Sequence, residues 1–202
     1  MVVDINNLGR VGLVGRFKPL HLGNLKLLEE VCKKADSVLI GIGSSNDYSY
    51  RNPFTVQESE DMIRSSLDFS NYDIIHIPDF YEGKKWGENI RLVFGDLDNF
   101  VTGNDYVKEI ISQYYNVVDS FEIVGGERKN RISSSQVRYE IARNGDWKKL
   151  VPKIVADYIE TNGIVNRFRK EFGIQTMEKH LEKSFREETV ETERARILEV
   201  RV

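Results

Sequence analysis

Cysteine is nearly absent from this chain. Cys32 is the only one in 202 residues, which excludes an internal disulfide framework and a cysteine-based zinc cluster. It falls at an apolar position of the first expected helix, where a buried structural thiol is expected rather than a nucleophile. A surplus of one charge is also lacking: 29 Lys and Arg stand against 32 Asp and Glu, for a net charge of -3. That balance argues against a general nucleic-acid binder, which carries a strongly basic face, and leaves room only for a local basic site. No apolar run is long enough to span a bilayer, and the N-terminal MVVDINNLGR has no apolar signal core. The expectation is a soluble, cytoplasmic protein with no membrane and no nucleic-acid partner. Internal repeats and low-complexity tracts are missing as well, and the length suits one domain with a substantial core.

What the chain does have is alternation. Val11–Gly15, Ser37–Gly43, Asp73–Ile77, Phe100–Thr102 and Val117–Ile123 contain the expected strands. Leu25–Ala35, Val56–Leu67, Trp86–Phe94 and Tyr106–Gln113 lie between them as expected helices. This order predicts an α/β fold, a parallel sheet covered by helices on both faces. In the first helix Leu25, Leu28 and Val31/Cys32 share a face, with Lys26, Glu29 and Lys33 turned away. Thr55-Val56-Gln57-Glu58 reads as a capping box. From Ser133 onward the pattern is helical: one helix from Ser134 to Arg143 stops at Asn144-Gly145, and another, opened by Pro152, closes near Asn162-Gly163. Residues 1–170 form the expected main domain and 171–202 a charged extension. Arg186–Val202 carries four basic and five acidic residues and is expected to be solvated or partner-dependent, with Ile197–Val202 as the alternative of a strand paired with another subunit.

Chemistry concentrates in GRFKPLHLGN, Gly15 to Asn24. Arg16, Lys18 and His21 crowd between a strand and a helix, and burying three potential cations there is unfavourable unless an anion or solvent compensates. Helix-start amides beside them suit a polyphosphate. The alternative is a surface loop with incidental charge. Asn24 is ambiguous too, since asparagine either caps a helix or donates to a phosphate oxygen. A second cluster, Arg131-Ile132-Ser133-Ser134-Ser135-Gln136-Val137-Arg138, offers hydroxyls at a helix start with an arginine one turn on. Plain capping by Ser133 is the favoured reading of this cluster taken alone, and the anion site gains once the helix is brought to the carboxyl edge of the sheet. Arg51, Asp79, Trp86, Gly103 and Asn104 follow or border the strands as single candidates, whereas His76 is expected to be structural and His180 solvated.

These pieces, in this order, resemble the archaeal-type nicotinamide-nucleotide adenylyltransferases of the nucleotidyltransferase superfamily with H-x-G-H and I-S-x-x-x-x-R motifs. The resemblance runs from Val11 to about Phe168 through GLVGRFKPLHLGN, IGIGSS, RNPFT, IPD with Trp86, TGN, ISSSQVR and GDWKKLVPKIVADYI. It implies a Rossmann-like sheet and transfer of AMP from ATP to nicotinamide mononucleotide (NMN), giving NAD and pyrophosphate. By motif position it assigns catalysis to His21, Arg16, Arg138 and Asn24. It places Gly15, Phe17, Lys18, Ile132, Ser133, Ser134 and Ser135 with them on ATP, and Gly103 and Asn104 beside the adenosine. Asp79 and Trp86 would hold the nicotinamide, with Arg51 near the acceptor. No metal site of the protein's own is expected: Mg²⁺ would travel with ATP. A homo-oligomer is expected as well. The reaction needs fixed cations and amides rather than a covalent nucleophile, and the chain offers no persuasive nucleophile–base pair.

The chain departs from the motif at two positions. Asn24 stands where the second histidine belongs, and Lys18 where glutamine is frequent. Losing one preorganised donor typically costs about 3–4 kcal/mol, or roughly 100- to 1000-fold in rate. Three outcomes stay open: a working adenylyltransferase, a sibling enzyme using another acceptor or CTP, and a nucleotide-binding paralogue impaired in turnover.

Overall fold

In the computed structural model, which describes residues 5–125 and 131–182, five short strands form one parallel sheet. They are β1 (Arg10–Gly15), β2 (Ser37–Ile42), β3 (Tyr72–His76), β4 (Asn99–Thr102) and β5 (Val117–Asp119), in the order β3-β2-β1-β4-β5. The tail Arg186–Val202 lies outside the described residues. Alternation within a strand decides which layer each side chain joins. In β2, Val38, Ile40 and Ile42 enter one hydrophobic cluster while Leu39 enters a second on the opposite face. Burial on both faces explains why β2 reads as an unbroken apolar run.

Among the described residues, helices α1 (Leu22–Lys34), α2 (Val56–Ser66), α3 (Gly83–Phe94), α4 (Asp105–Ile111), α5 (Ser120–Val124), α6 (Ser134–Ala142), α7 (Lys153–Thr161) and α8 (Ile164–Phe168) wrap the sheet. Ile90 and Phe94 of α3 and Ile111 of α4 cover one face with Phe100 and Tyr115. The remaining helices share the larger cluster on the other face, through Leu28, Met62, Ile123, Val137, Ile159 and Phe168 among others. Beyond α8 the chain continues through a π-helical turn, Arg169–Gly173, into helical residues 174–182. Among the described residues no helix is long and apolar enough to cross a membrane.

Most expected boundaries fall close to the observed ones, and the differences have local causes. The capping box is present, with Thr55 Oγ1 accepting from Glu58 N at 3.1 Å and Glu58 Oε2 accepting from Thr55 N at 2.9 Å. The expected strand Val117–Ile123 stops after three residues, because Asp119 accepts from Phe121 N at 2.9 Å and caps α5 instead. The first helix starts at Leu22, three residues before the expected Leu25, because His21 caps it. Cys32 is buried in the core, and burial pushes its thiol up to about 11, as an inert structural cysteine requires.

Phe94 fixes the spacing between α3 and the sheet. It lies over two strand glycines: a Cβ at Gly12 would stand 2.7 Å from Phe94 Cδ2, and one at Gly41 3.0 Å from its Cζ. Leu97 Cδ1 would be closer still to the Gly12 Cβ, at 2.5 Å. Gly12→Ala should therefore destabilise the protein by about 1–3 kcal/mol through overpacking. Urea unfolding checks this, and an unchanged midpoint would contradict the packing described.

Candidate active site

Strand order reverses at β1, from which the chain moves outward to β2 and β3 and later returns to β4 on the other side. Open α/β sheets bind ligands at the carboxyl edge of such a switch point. A cleft of about 1040 Å³ opens there, and fourteen of the sixteen expected site residues line it. Lys18 and Arg51 are the two that do not.

The β1–α1 loop shows why. Phe17 takes a left-handed φ of 50° and is 3% exposed, with its ring packed so close to Gly15 that a Cβ there would lie 2.7 Å away. Gly15 and Phe17 thus form the floor of the cleft. Lys18, 1% exposed, turns away from it, and its Nζ donates to Ser44 O at 2.8 Å and Asp47 O at 3.4 Å. Burial brings its amine down to about 8. The expectation that Lys18 faces ATP is corrected: its amine fastens the polar loop after β2. Arg16 is exposed at the cleft.

His21 is 3% exposed, and its Nδ1 accepts from Asn24 N at 3.2 Å. The cap therefore belongs to His21, correcting the option that Asn24 opens the helix. An Nδ1 that accepts leaves the ring proton on Nε2 in the neutral form. Burial, with Arg131 adding to it, lowers the imidazole to about 4, so at neutral pH His21 is an uncharged donor rather than one of three cations. Asn24 lines the cleft, and its Oδ1 is buried with no hydrogen-bond partner.

The second motif meets the first through two long-range hydrogen bonds. Arg138 Nη1 donates to Lys18 O at 2.8 Å, and Ser134 Oγ donates to Pro19 O at 3.0 Å. Arg138 Nη2 also donates to Ser135 Oγ at 3.1 Å. Ser133 caps α6 by accepting from Gln136 N at 3.2 Å, so ordinary capping and a place in the cleft coexist. Ile132 lines the cleft beside it. Burial first, then Arg16, pushes Arg138 down to about 10, which leaves it cationic at neutral pH. Among the described residues neither Arg16 nor Arg138 has a carboxylate partner. A buried guanidinium whose described acceptors are neutral oxygens keeps a charge that they do not cancel.

The opposite wall is acidic and aromatic, with Asp79, Glu82, Trp86 and Asp105. Asp79 accepts from Ser44 Oγ at 3.4 Å and from Tyr81 N at 3.0 Å, and Asn46 clasps its backbone at 2.7 and 3.1 Å. Trp86 is half-buried, packing on the smaller core while it borders the cleft. Gly103 lies beside Asn104, whose Oδ1 caps α4 by accepting from Tyr106 N and Val107 N at 3.0 and 3.2 Å. Ser44, Tyr81 and Arg131 also line the cleft, although the sequence assigned none of them a role. Arg131 had a usable signal, a cation directly before ISSS, whereas Tyr81 reaches the cleft through a left-handed φ of 53° that no motif announces.

Arg51 instead faces a smaller cavity of about 260 Å³, shared with Arg16, Ser135 and Arg138. His180, expected to be solvated, stacks on Tyr139 beside it with ring centroids 3.6 Å apart. His76 Nε2 lies 2.6 Å from Glu60 Oε2, a structural pairing. Among the described residues no three His, Cys, Asp or Glu side chains gather in metal-binding geometry.

Residues 13–164 match the cytidylyltransferase-like family model. The nicotinamide-nucleotide adenylyltransferase of Pyrococcus furiosus is 32% identical over 182 residues, covering 86% of this chain and 95% of its own length. That of Thermococcus sibiricus is 31% identical over 163 residues, covering 77% and 86%. Among solved structures, the bifunctional NMN adenylyltransferase/ADP ribose pyrophosphatase of Francisella tularensis, complexed with AMP and a manganese ion, superposes with a TM-score of 0.63 at 17% identity. The match covers 92% of this chain and 56% of that one, so this chain spans just over half of the two-activity protein. The nicotinic acid mononucleotide adenylyltransferase of Plasmodium falciparum gives 0.53 at 13% identity, over 79% and 98%. The fold is that of Rossmann-like nucleotidyltransferases, and the chain belongs to the cytidylyltransferase-like family, among its archaeal-type nicotinamide-nucleotide adenylyltransferases.

Proposed function

We propose that the protein transfers AMP from ATP to NMN, releasing NAD and pyrophosphate. The observation that carries this reading is the polarity of the cleft: Arg16 and Arg138, without a carboxylate partner among the described residues, and helix-start donors on one wall, carboxylates and an indole on the other. The basic wall suits a triphosphate. The acidic wall suits a pyridinium amide, since its carboxylates can accept from the amide and the Trp86 face attracts a cation. A nicotinate ring, with its own carboxylate, would be repelled there.

Arg16, His21 and Arg138 hold the ATP phosphates in this reading. Gly15, Phe17 and Ile132 contribute backbone, and Ser133, Ser134 and Ser135 contribute helix-start donors. Gly103 and Asn104 border the adenosine, while Asp79 and Trp86 hold the nicotinamide. A phosphate oxygen of NMN attacks the α-phosphorus of ATP, and the bond from that phosphorus to the bridging oxygen of pyrophosphate breaks. No proton need leave the attacking dianion. Negative charge accumulates on the transferring group and the departing oxygen, where Arg138, Arg16 and the His21 Nε2 proton meet it. Mg²⁺, arriving on the triphosphate, supplies further charge neutralisation. Asn24 keeps a neutral donor where the family motif has its second histidine.

Purified protein incubated with ATP, Mg²⁺ and NMN should form NAD and pyrophosphate in equal amounts. Pyrophosphate released only with CTP or another acceptor would replace the substrate assignment, and ATP binding without turnover would refute the enzyme reading. His21→Ala and Asn24→Ala should each lower kcat by about 100-fold, whereas Asn24→His should keep or raise it.

The neutral imidazole also predicts a pH effect. The unfolded chain takes up the His21 proton near pH 6.5, but the folded protein does so only near pH 4. Between those values the unfolded state binds more protons, so stability falls as pH falls, by up to about 3 kcal/mol. In His21→Asn, which keeps a capping side chain, chemical denaturation from pH 7 to 4 should show that component removed.

A further inference from the structure

A lysine is seldom fully buried, because its ammonium has to leave water. Lys18 is among the largest fully buried side chains of the protein, and its described acceptors are two carbonyls of one loop, Ser44 O and Asp47 O. These carbonyls bracket a tight turn at residues 44–47, closed by Asp47 N donating to Ser44 O at 3.2 Å. Burial is the largest influence on the amine and lowers it to about 8. Asp47 pulls the other way, while Arg16 and Arg138 add to burial, and at neutral pH Lys18 remains an ammonium. A charge buried at this cost is spent on holding one turn.

The turn needs holding. Ser44 takes a left-handed φ of 50°, a conformation unfavourable for a residue with a Cβ and kept where surrounding contacts enforce it. With that backbone, Ser44 Oγ lies 3.4 Å from Asp79 Oδ2. Ser45 N donates to Ile77 O at 3.0 Å, and Asn46 clasps the Asp79 backbone through both polar atoms of its side chain. Asp79 stands beyond the end of β3, outside the ladder of the sheet. Its position therefore comes from the loop that Lys18 holds, and a single residue, Ser44, separates the buried amine from the Asp79 carboxylate.

We propose that Lys18 is a positioning residue for the acceptor wall of the cleft: it fixes the 44–47 turn, the turn fixes the Asp79 carboxylate, and the affinity for the acceptor nucleotide follows. Lys18 touches neither substrate. The first loop of the sheet then serves both of them, ATP through the side chains that face the cleft and the acceptor through the one that turns away. The inference rests on the adenylyl-transfer reading for the identity of the acceptor, whereas the hold on Asp79 is independent of it.

Steady-state kinetics of the full chain, with amide hydrogen exchange of the ligand-free protein followed by NMR, test this. K18M keeps an unbranched side chain of similar length and removes the donor. It should raise the KM for NMN about tenfold or more, the loss expected with a hydrogen bond to a charged group, and leave the KM for ATP unchanged. K18Q, which keeps a neutral donor, should show the same split at smaller size, and stands in for K18M where that variant does not fold. In either variant the amides of residues 44–47 and of Asp79 should exchange faster while those of α6 keep their protection. The double variant K18M/S44A should lose little more NMN affinity than K18M alone, because both changes act on Asp79. An unchanged KM for NMN, an equal rise for ATP, additive losses in the double variant, or unchanged exchange at Asp79 would each overturn the proposal. A parent that forms no NAD, with faster exchange at Asp79 in K18M, would overturn the NMN assignment and leave the Lys18 hold on Asp79 standing.

Discussion

A guanidinium taken out of water has to find its acceptors locally, and Arg138 finds one 120 residues away in the sequence, on the carbonyl of Lys18. With the Ser134 bond to Pro19, this contact draws the start of α6 down onto the first loop of the sheet. Everything specific about the cleft follows from that junction. It sets two helix starts side by side, it holds the Arg138 charge without cancelling it, and it divides the large cleft from the cavity behind. An aspartate or glutamate in place of the carbonyl would pin the arginine equally well and leave nothing for an anion to neutralise.

The fold was legible in the sequence because its signals are local. Apolar alternation marks β2, the Thr55–Glu58 box marks the start of α2, and Asn144-Gly145 marks the end of α6, each decided within a few residues. Legibility fails where two local signals compete. Val117, Val118, Phe121 and Ile123 favour a strand, yet Asp119 offers its carboxylate to the Phe121 amide and the chain turns helical. The β-propensity of that run is real, but it is weaker than a satisfied cap at a sheet edge.

The candidate site was legible as a set of residues but less so as a set of charges. Arg16, Lys18 and His21 look like three equivalent cations on paper. Burial separates them, leaving one exposed guanidinium, one ammonium turned to backbone carbonyls, and one imidazole kept neutral. Side-chain direction and desolvation are tertiary properties, and spacing along the chain does not encode them. The Tyr81 contribution was invisible for the same reason, since it depends on a backbone conformation.

His21 makes the opening turn of α1 and a wall of the cleft a single object. Helix starts usually diverge freely, because serine, threonine, aspartate and asparagine exchange as caps at small cost. Here the exchangeable set narrows to a side chain that gives its near atom to a backbone amide while a rigid ring carries a proton outward. Drift at this position cannot be absorbed as a matter of folding alone. The helix and the ligand must be re-solved together, which ties the history of the scaffold to the history of its chemistry.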